Sequence, residues 1–136
     1  GIITILATDH APHSADEKSQ PVADAPFGII GLESALGLYH KALVETGRID
    51  WPKLIELMTI NPAKLCNLDH RGLGKLAIGG PADITLIDPD HAWTLSPADL
   101  VGKSTNTPFL QWTMNARPMM TMVNGTIQHS RLAEHA

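Results

Sequence analysis

The stretch "ATDHAPHSADEK", residues 7–18, sets Asp9, His10 and His13 within five positions, directly after the apolar run "IITIL". A carboxylate at the end of a buried strand can bind a hard or borderline cation, and it can accept and return a proton beside one. His13, four residues further on, can hold an anionic group from a loop. His10, adjacent to Asp9, points elsewhere if the backbone is still extended, because neighbours in a strand alternate sides. The same residues also make up an ordinary Asx-turn with solvated histidines. No HxH, HExxH or CxxC supplies further ligands, so spacing alone leaves both readings open.

The elements that must position these residues follow from patterning. Residues 2–7 form a short, continuous apolar run with β-branched members, suited to a strand covered on both faces in a parallel sheet. The C-terminal end of such a strand is where α/β barrels place their chemistry. A long polar loop follows over residues 8–31, closing with "APFGIIG"; Lys18 reads as part of its solvated face. From Leu32 the period becomes helical, with Leu32, Leu36, Tyr39 and Leu43 on one face and Gly47 as C-cap. Asp50, with Pro52 behind it, caps a second helix to about Met58, and Asn61 with Pro62 restarts a third through Leu68. Beyond Asp69 the chain turns glycine-rich. "RGLGKLAIGG" lacks the spacing of a phosphate-binding loop and reads as turns, "DITLID" reads as a strand, and Asn124-Gly125 marks a hairpin. The division is an α/β piece over 1–69, a mostly β piece over 70–130, and a tail over 131–136.

Composition narrows the function. At 136 residues the chain has the size of one domain, and its formal charge of −4 offers no stripe for nucleic acid. No apolar stretch approaches the roughly 20 residues that cross a bilayer. The single cysteine, Cys66, lies among apolar neighbours and reads as a buried, inert thiol in a reducing, cytoplasmic compartment. His40, His70, His91, His129 and His135 stand alone and read as surface residues. The opening "GIITIL" is already the inside of a strand, so the chain reads as cut in mid-domain.

Taken together, the motifs resemble one family. Residues 7–13 followed at a fixed interval by Lys18 resemble the second signature of dihydroorotases, small–Ser/Thr–Asp–x–Ala–Pro–His–x4–Lys. "APFGIIGLES", "NPAKLCNL…GLGKLAIGGPADITLID" and "STNTPF" resemble later segments of the same family, in order. The resemblance implies the C-terminal fragment of a (β/α)8 TIM-barrel, metal-dependent hydrolase of the amidohydrolase superfamily, followed by a small β-rich composite sandwich domain. It implies zinc, and the reversible hydrolysis of the cyclic amide of L-dihydroorotate to N-carbamoyl-L-aspartate in pyrimidine synthesis. The aspartate matching Asp9 is then both metal ligand and acid/base, taking a proton from the attacking water and delivering it to the leaving nitrogen. His13 contacts the substrate carboxylate, and Phe27 and Gly28 lie against the substrate through their backbone, where a missing Cβ permits close approach.

The departures carry equal weight. The family's HxH, its carboxylated lysine, two further histidines and its substrate-binding arginine and asparagine belong upstream of residue 1, so this chain alone should neither hold zinc nor turn over substrate. "FLQWTMNARP" occupies positions where relatives often carry glycine. The implied partners are the small-molecule substrate, the remaining N-terminal barrel segment and a second copy in a homodimer, with no nucleic acid or membrane. Two alternatives remain: a hydantoinase- or allantoinase-like cyclic amidohydrolase, and a non-catalytic subunit that scaffolds aspartate transcarbamoylase. A free-standing binding domain would fold as a monomer, whereas a barrel fragment should expose the apolar faces of Ile3 and Ile5.

Overall fold

The computed structural model describes residues 2–132. Residues 2–7, expected as a strand, join no ladder among the described residues. A strand exists only through a neighbour, and no described segment lies alongside this one. It is held instead by single hydrogen bonds: Leu6 N–H donates to Leu57 O (3.1 Å), Asn61 Nδ2 to Thr4 O (2.8 Å) and Tyr39 O–H to Ala7 O (2.7 Å). Ile3 is exposed and Ile5 half-buried.

The expected loop contains one helical turn, α1 (Ala15–Lys18), started by a capping box in which Ser14 and Glu17 satisfy each other's backbone N–H groups. The helix expected from Leu32 begins later, as α2 (Ala35–Tyr39), and widens into a π-turn over His40–Val44. There Glu45 N–H reaches back five residues to His40 O (3.0 Å). Contrary to the surface position expected for it, His40 is buried, stacked on Trp51 with centroids 4.8 Å apart and with Nδ1 3.4 Å from Glu45. Gly37 is packed against Met114: a Cβ there would come within 2.7 Å of Met114 Cγ.

Helix α3 (Trp51–Met58) starts as its sequence dictates. Asp50 accepts Lys53 N–H (3.0 Å), Pro52 lies in the first turn, and Leu54 and Leu57 are buried. Helix α4 (Ile60–Leu65) begins one residue before Asn61 and stops short of Leu68, where Asn67 adopts a left-handed φ of +54°. Cys66 therefore stands at the helix end and is exposed, not buried.

Residues 71–80 form turns, as their glycines suggest, with Gly72 and Gly74 at φ of +84° and +80°. Strands β1 (Ile84–Asp88), β4 (Arg117–Val123) and β5 (Thr126–Ser130) make an antiparallel sheet in the order β1-β4-β5. Asn124 and Gly125, at φ +48° and +77°, form the hairpin turn that the dipeptide announces. Strands β2 (Trp93–Thr94) and β3 (Thr113–Met114) form a second, two-stranded sheet. Its Trp93 and Met114, with Leu95, are the centre of the core, and Leu38, Leu100, Phe109 and Leu110 pack around them. His70 and His129 are exposed; His91 is half-buried, with its N–H on Asp88 Oδ1 (3.1 Å). Of the expected tail, Arg131 is tied back by its N–H to Met119 O (2.8 Å). Residues 133–136, including His135, lie outside the described residues. No helix among the described residues is long and apolar enough to cross a membrane.

An ion-pair cluster closes the β region. Arg117 lies over the Trp93 ring, 4.7 Å from its centroid, and pairs with Asp99, which Arg131 approaches to 3.9 Å. Burial alone would push the Asp99 carboxyl up. The Ser96 hydroxyl and N–H, and the two guanidinium groups, outweigh it and hold the carboxyl below its ordinary value. A carboxyl depressed on folding stabilises the folded state above its unfolded pKa, and that contribution vanishes as pH falls through the lower, folded value. Thermal unfolding followed against pH should therefore show stability falling below the ordinary Asp value of 3.8. Asp99→Asn should be less stable at neutral pH and lose less between neutral and acid; an unchanged acid limb would remove Asp99 from the cause.

Candidate active site

The loop after residue 7 leaves the extended conformation at once. Asp9 has φ +45°, a left-handed geometry that costs an L-residue roughly 1–2 kcal/mol and that Asp tolerates better than most. Its carboxylate is exposed. The turn also places His10, for which the residue pattern suggested no role. Its Nδ1 accepts the N–H groups of Gly31 (3.1 Å) and Leu32 (3.3 Å), so the hydrogen-bond pattern assigns the ring proton to Nε2. His10 thus joins the two ends of the loop, with Nδ1 already occupied.

The structure brings together three of the four residues singled out from the sequence. His13 Nε2 lies 2.9 Å from Phe27 O and donates to it, and a Cβ on Gly28 would sit 3.7 Å from the same nitrogen. Nδ1 of His13 faces Glu17 at 3.9 Å. The Ser14 N–H and hydroxyl hold the Glu17 carboxyl below its usual range. Phe27 is almost wholly exposed. No hydrogen bond joins Asp9 to this group among the described residues.

Two further residues do much of the positioning. Lys18, expected on a solvated face, is half-buried and donates through Nζ to Pro26 O (2.9 Å) and Gly28 O (3.2 Å). Asn106, within "STNTPF", accepts His13 N–H (3.2 Å) and donates to Ala11 O (2.9 Å) and Gly28 O (3.4 Å). The sequence signals for Asn106 were its place in "STNTPF" and its type: an amide is both donor and acceptor, and so can bridge two strands of a loop.

The described residues contain no group of three or more His, Cys, Asp or Glu placed to hold a metal ion. Asp9 is exposed and offers hard oxygen donors, which suits one ligand position and no more. The arrangement therefore offers an exposed acidic residue, an imidazole and a stretch of backbone whose carbonyls are held by side chains.

The amidohydrolase family model matches residues 1–127. This chain belongs to the amidohydrolase family. Among sequence relatives, the dihydroorotase of Brevibacillus brevis is 41% identical over 132 residues, 97% of this chain and 30% of that protein. The dihydroorotase of a Geobacter species is 46% identical over 127 residues, 93% of this chain and 29% of that protein. The chain thus spans about 30% of the length of the curated relatives it matches. Among solved structures, the L-hydantoinase (dihydropyrimidinase) of Arthrobacter aurescens superposes with a TM-score of 0.85 at 29% identity, covering 96% of this chain and 30% of that one. The D-hydantoinase (dihydropyrimidinase) of a Thermus species gives 0.85 at 26%, covering 96% and 29%.

Gly28 carries a direct test of the cluster. Its φ of +104° and the 2.5 Å that would separate a new Cβ from Ala11 Cβ both oppose any side chain. Gly28→Ala should accelerate amide hydrogen exchange over residues 10–31 while leaving β4 and β5 protected. Exchange identical to the parent across the loop would refute the packing described.

Proposed function

We propose that this chain works within a dihydroorotase, supplying the last strand of a (β/α)8 barrel through residues 2–7, the loop that carries Asp9 and His13, and a small β-rich domain. The observation that carries the reading is the match to proteins named dihydroorotase at 41–46% identity over nearly the whole chain. The loop supports it with an exposed Asp9 and with His13 held against the backbone of Phe27.

The reaction is the reversible opening of the cyclic amide of L-dihydroorotate by water, giving N-carbamoyl-L-aspartate. Asp9 takes a proton from the attacking water as its oxygen bonds to the ring carbonyl carbon. It returns that proton to the ring nitrogen as the C–N bond breaks, and the reverse sequence closes the ring. Asp9 would provide one ligand to a divalent metal, zinc by the family resemblance, which would supply Lewis-acid chemistry to the carbonyl and the water. Phe27 and Gly28 line the substrate through their backbone. The His13 imidazole keeps Nε2 on Phe27 O, and its Nδ1, 3.9 Å from Glu17 and beyond hydrogen-bond reach of it, is the ring atom left to meet the substrate carboxylate, to which it donates when the ring carries both protons.

A hydantoinase reading draws on the structural neighbours. It is the weaker of the two, since those proteins share 26–29% of residues against 41–46% for the dihydroorotases. The test uses the full-length protein with its metal. It should hydrolyse dihydroorotate far better than hydantoin. Asp9→Asn should lower turnover in both directions by about 10³-fold with unchanged circular dichroism. His13→Ala should raise KM for dihydroorotate roughly ten- to a hundredfold, the worth of one charge-assisted hydrogen bond, without a comparable effect on an uncharged cyclic amide. Near-parental turnover in Asp9→Asn, or a preference for hydantoin, would overturn the assignment.

A further inference from the structure

The carbonyls of Pro26, Phe27 and Gly28 are all turned onto side-chain donors. Lys18 Nζ takes Pro26 O and Gly28 O, His13 Nε2 takes Phe27 O, and Asn106 Nδ2 shares Gly28 O. These peptides are trans, so each N–H points opposite the carbonyl of the residue before it. Fixing the carbonyls of Pro26 and Phe27 therefore directs the N–H groups of Phe27 and Gly28 away from Lys18 and His13, where a ligand can meet them. Asn106 reaches this loop from the β region, 93 residues from His13 and 95 from Ala11. Its amide uses both donor and acceptor there: it holds the Ala11 and Gly28 carbonyls and takes the N–H of His13. Ile30 N–H adds a bond to the Asn106 carbonyl (3.1 Å), and Ala11 N–H donates directly to Ile29 O (2.9 Å).

We propose that Asn106 and Lys18 are positioning residues that set the backbone of Phe27 and Gly28, and the ring of His13, to receive the anionic end of the substrate. This rests on the dihydroorotase reading for the identity of the ligand, but not for the clamp itself. Asn106 sets the level of His13 through its main-chain N–H and the level of Gly28 through its carbonyl, so one side chain governs both substrate contacts. Lys18 neutralises two carbonyl dipoles that would otherwise face each other across the turn. Neither residue need touch the reacting atoms, so both should act on substrate binding more than on the chemical step.

The experiment takes the full-length, metal-loaded protein and compares Asn106→Ala, Asn106→Asp and Lys18→Met with the parent and with Lys103→Ala, an exposed neighbour on the same segment. KM and kcat are measured for dihydroorotate and for N-carbamoyl-L-aspartate, with amide hydrogen exchange over residues 10–31 and the thermal midpoint alongside. Asn106→Ala and Lys18→Met should raise KM about tenfold or more, change kcat by less than about threefold, and speed exchange around residues 26–29. Asn106→Asp keeps the acceptor for His13 N–H but loses both donors, so it should follow Asn106→Ala. Parental KM in these variants overturns the proposal, and so does a lower thermal midpoint that leaves KM and loop exchange unchanged. If the parent turns over no dihydroorotate, the functional reading fails by itself; the clamp is then judged on exchange, and unaltered exchange in Asn106→Ala ends it.

Discussion

A backbone that leaves a ladder must find partners for its N–H and C=O groups elsewhere, because each unpaired buried group costs as much as a lost hydrogen bond. The long connection between residues 7 and 32 meets this requirement largely with side chains. His10 takes two N–H groups at its far end, Lys18 and His13 take three successive carbonyls, and Asn106 crosses from the β region to hold both halves. The shape of the candidate site follows from that one demand. Asp9 can keep a left-handed backbone only while its neighbours are tied down on either side, and Gly28 is glycine because Ala11 occupies the space a Cβ would need.

Much of the local architecture was legible in the sequence because it depends on neighbours close in the chain. The Asp50 cap and Pro52 mark the start of α3, and Asn124-Gly125 marks the hairpin between β4 and β5. The glycines of residues 72–79 mark turns by needing positive φ. These signals are short-range and nearly independent of the rest of the fold.

What was not legible depends on distance or on one residue of register. Residues 2–7 have strand composition, but a ladder is made by a second segment that patterning within this run cannot supply. His40 is buried because Trp51, at the start of another helix, stacks on it, and one early stop in α4 leaves Cys66 in solvent. For the site, Asp9, His13, Phe27 and Gly28 were picked out by type and by family likeness, and the last three do converge. Lys18 and Asn106 lie inside stretches that carry the family likeness, but their roles were not legible, because a lysine or asparagine looks the same in sequence whether it faces water or a carbonyl.

The Asn106 bridge also bears on how such chains diversify. Its amide ties the segment after residue 100 to residues 11, 13 and 28 on a strict geometric match, so the two regions are matched halves of a lock. A recombinant that joined the front of one relative to the back of another, with the seam anywhere between α4 and Asn106, would inherit a bridge cut for a different loop. Exchange of whole blocks should thus succeed between close kin and fail between distant ones, even where every residue that meets the ligand is kept.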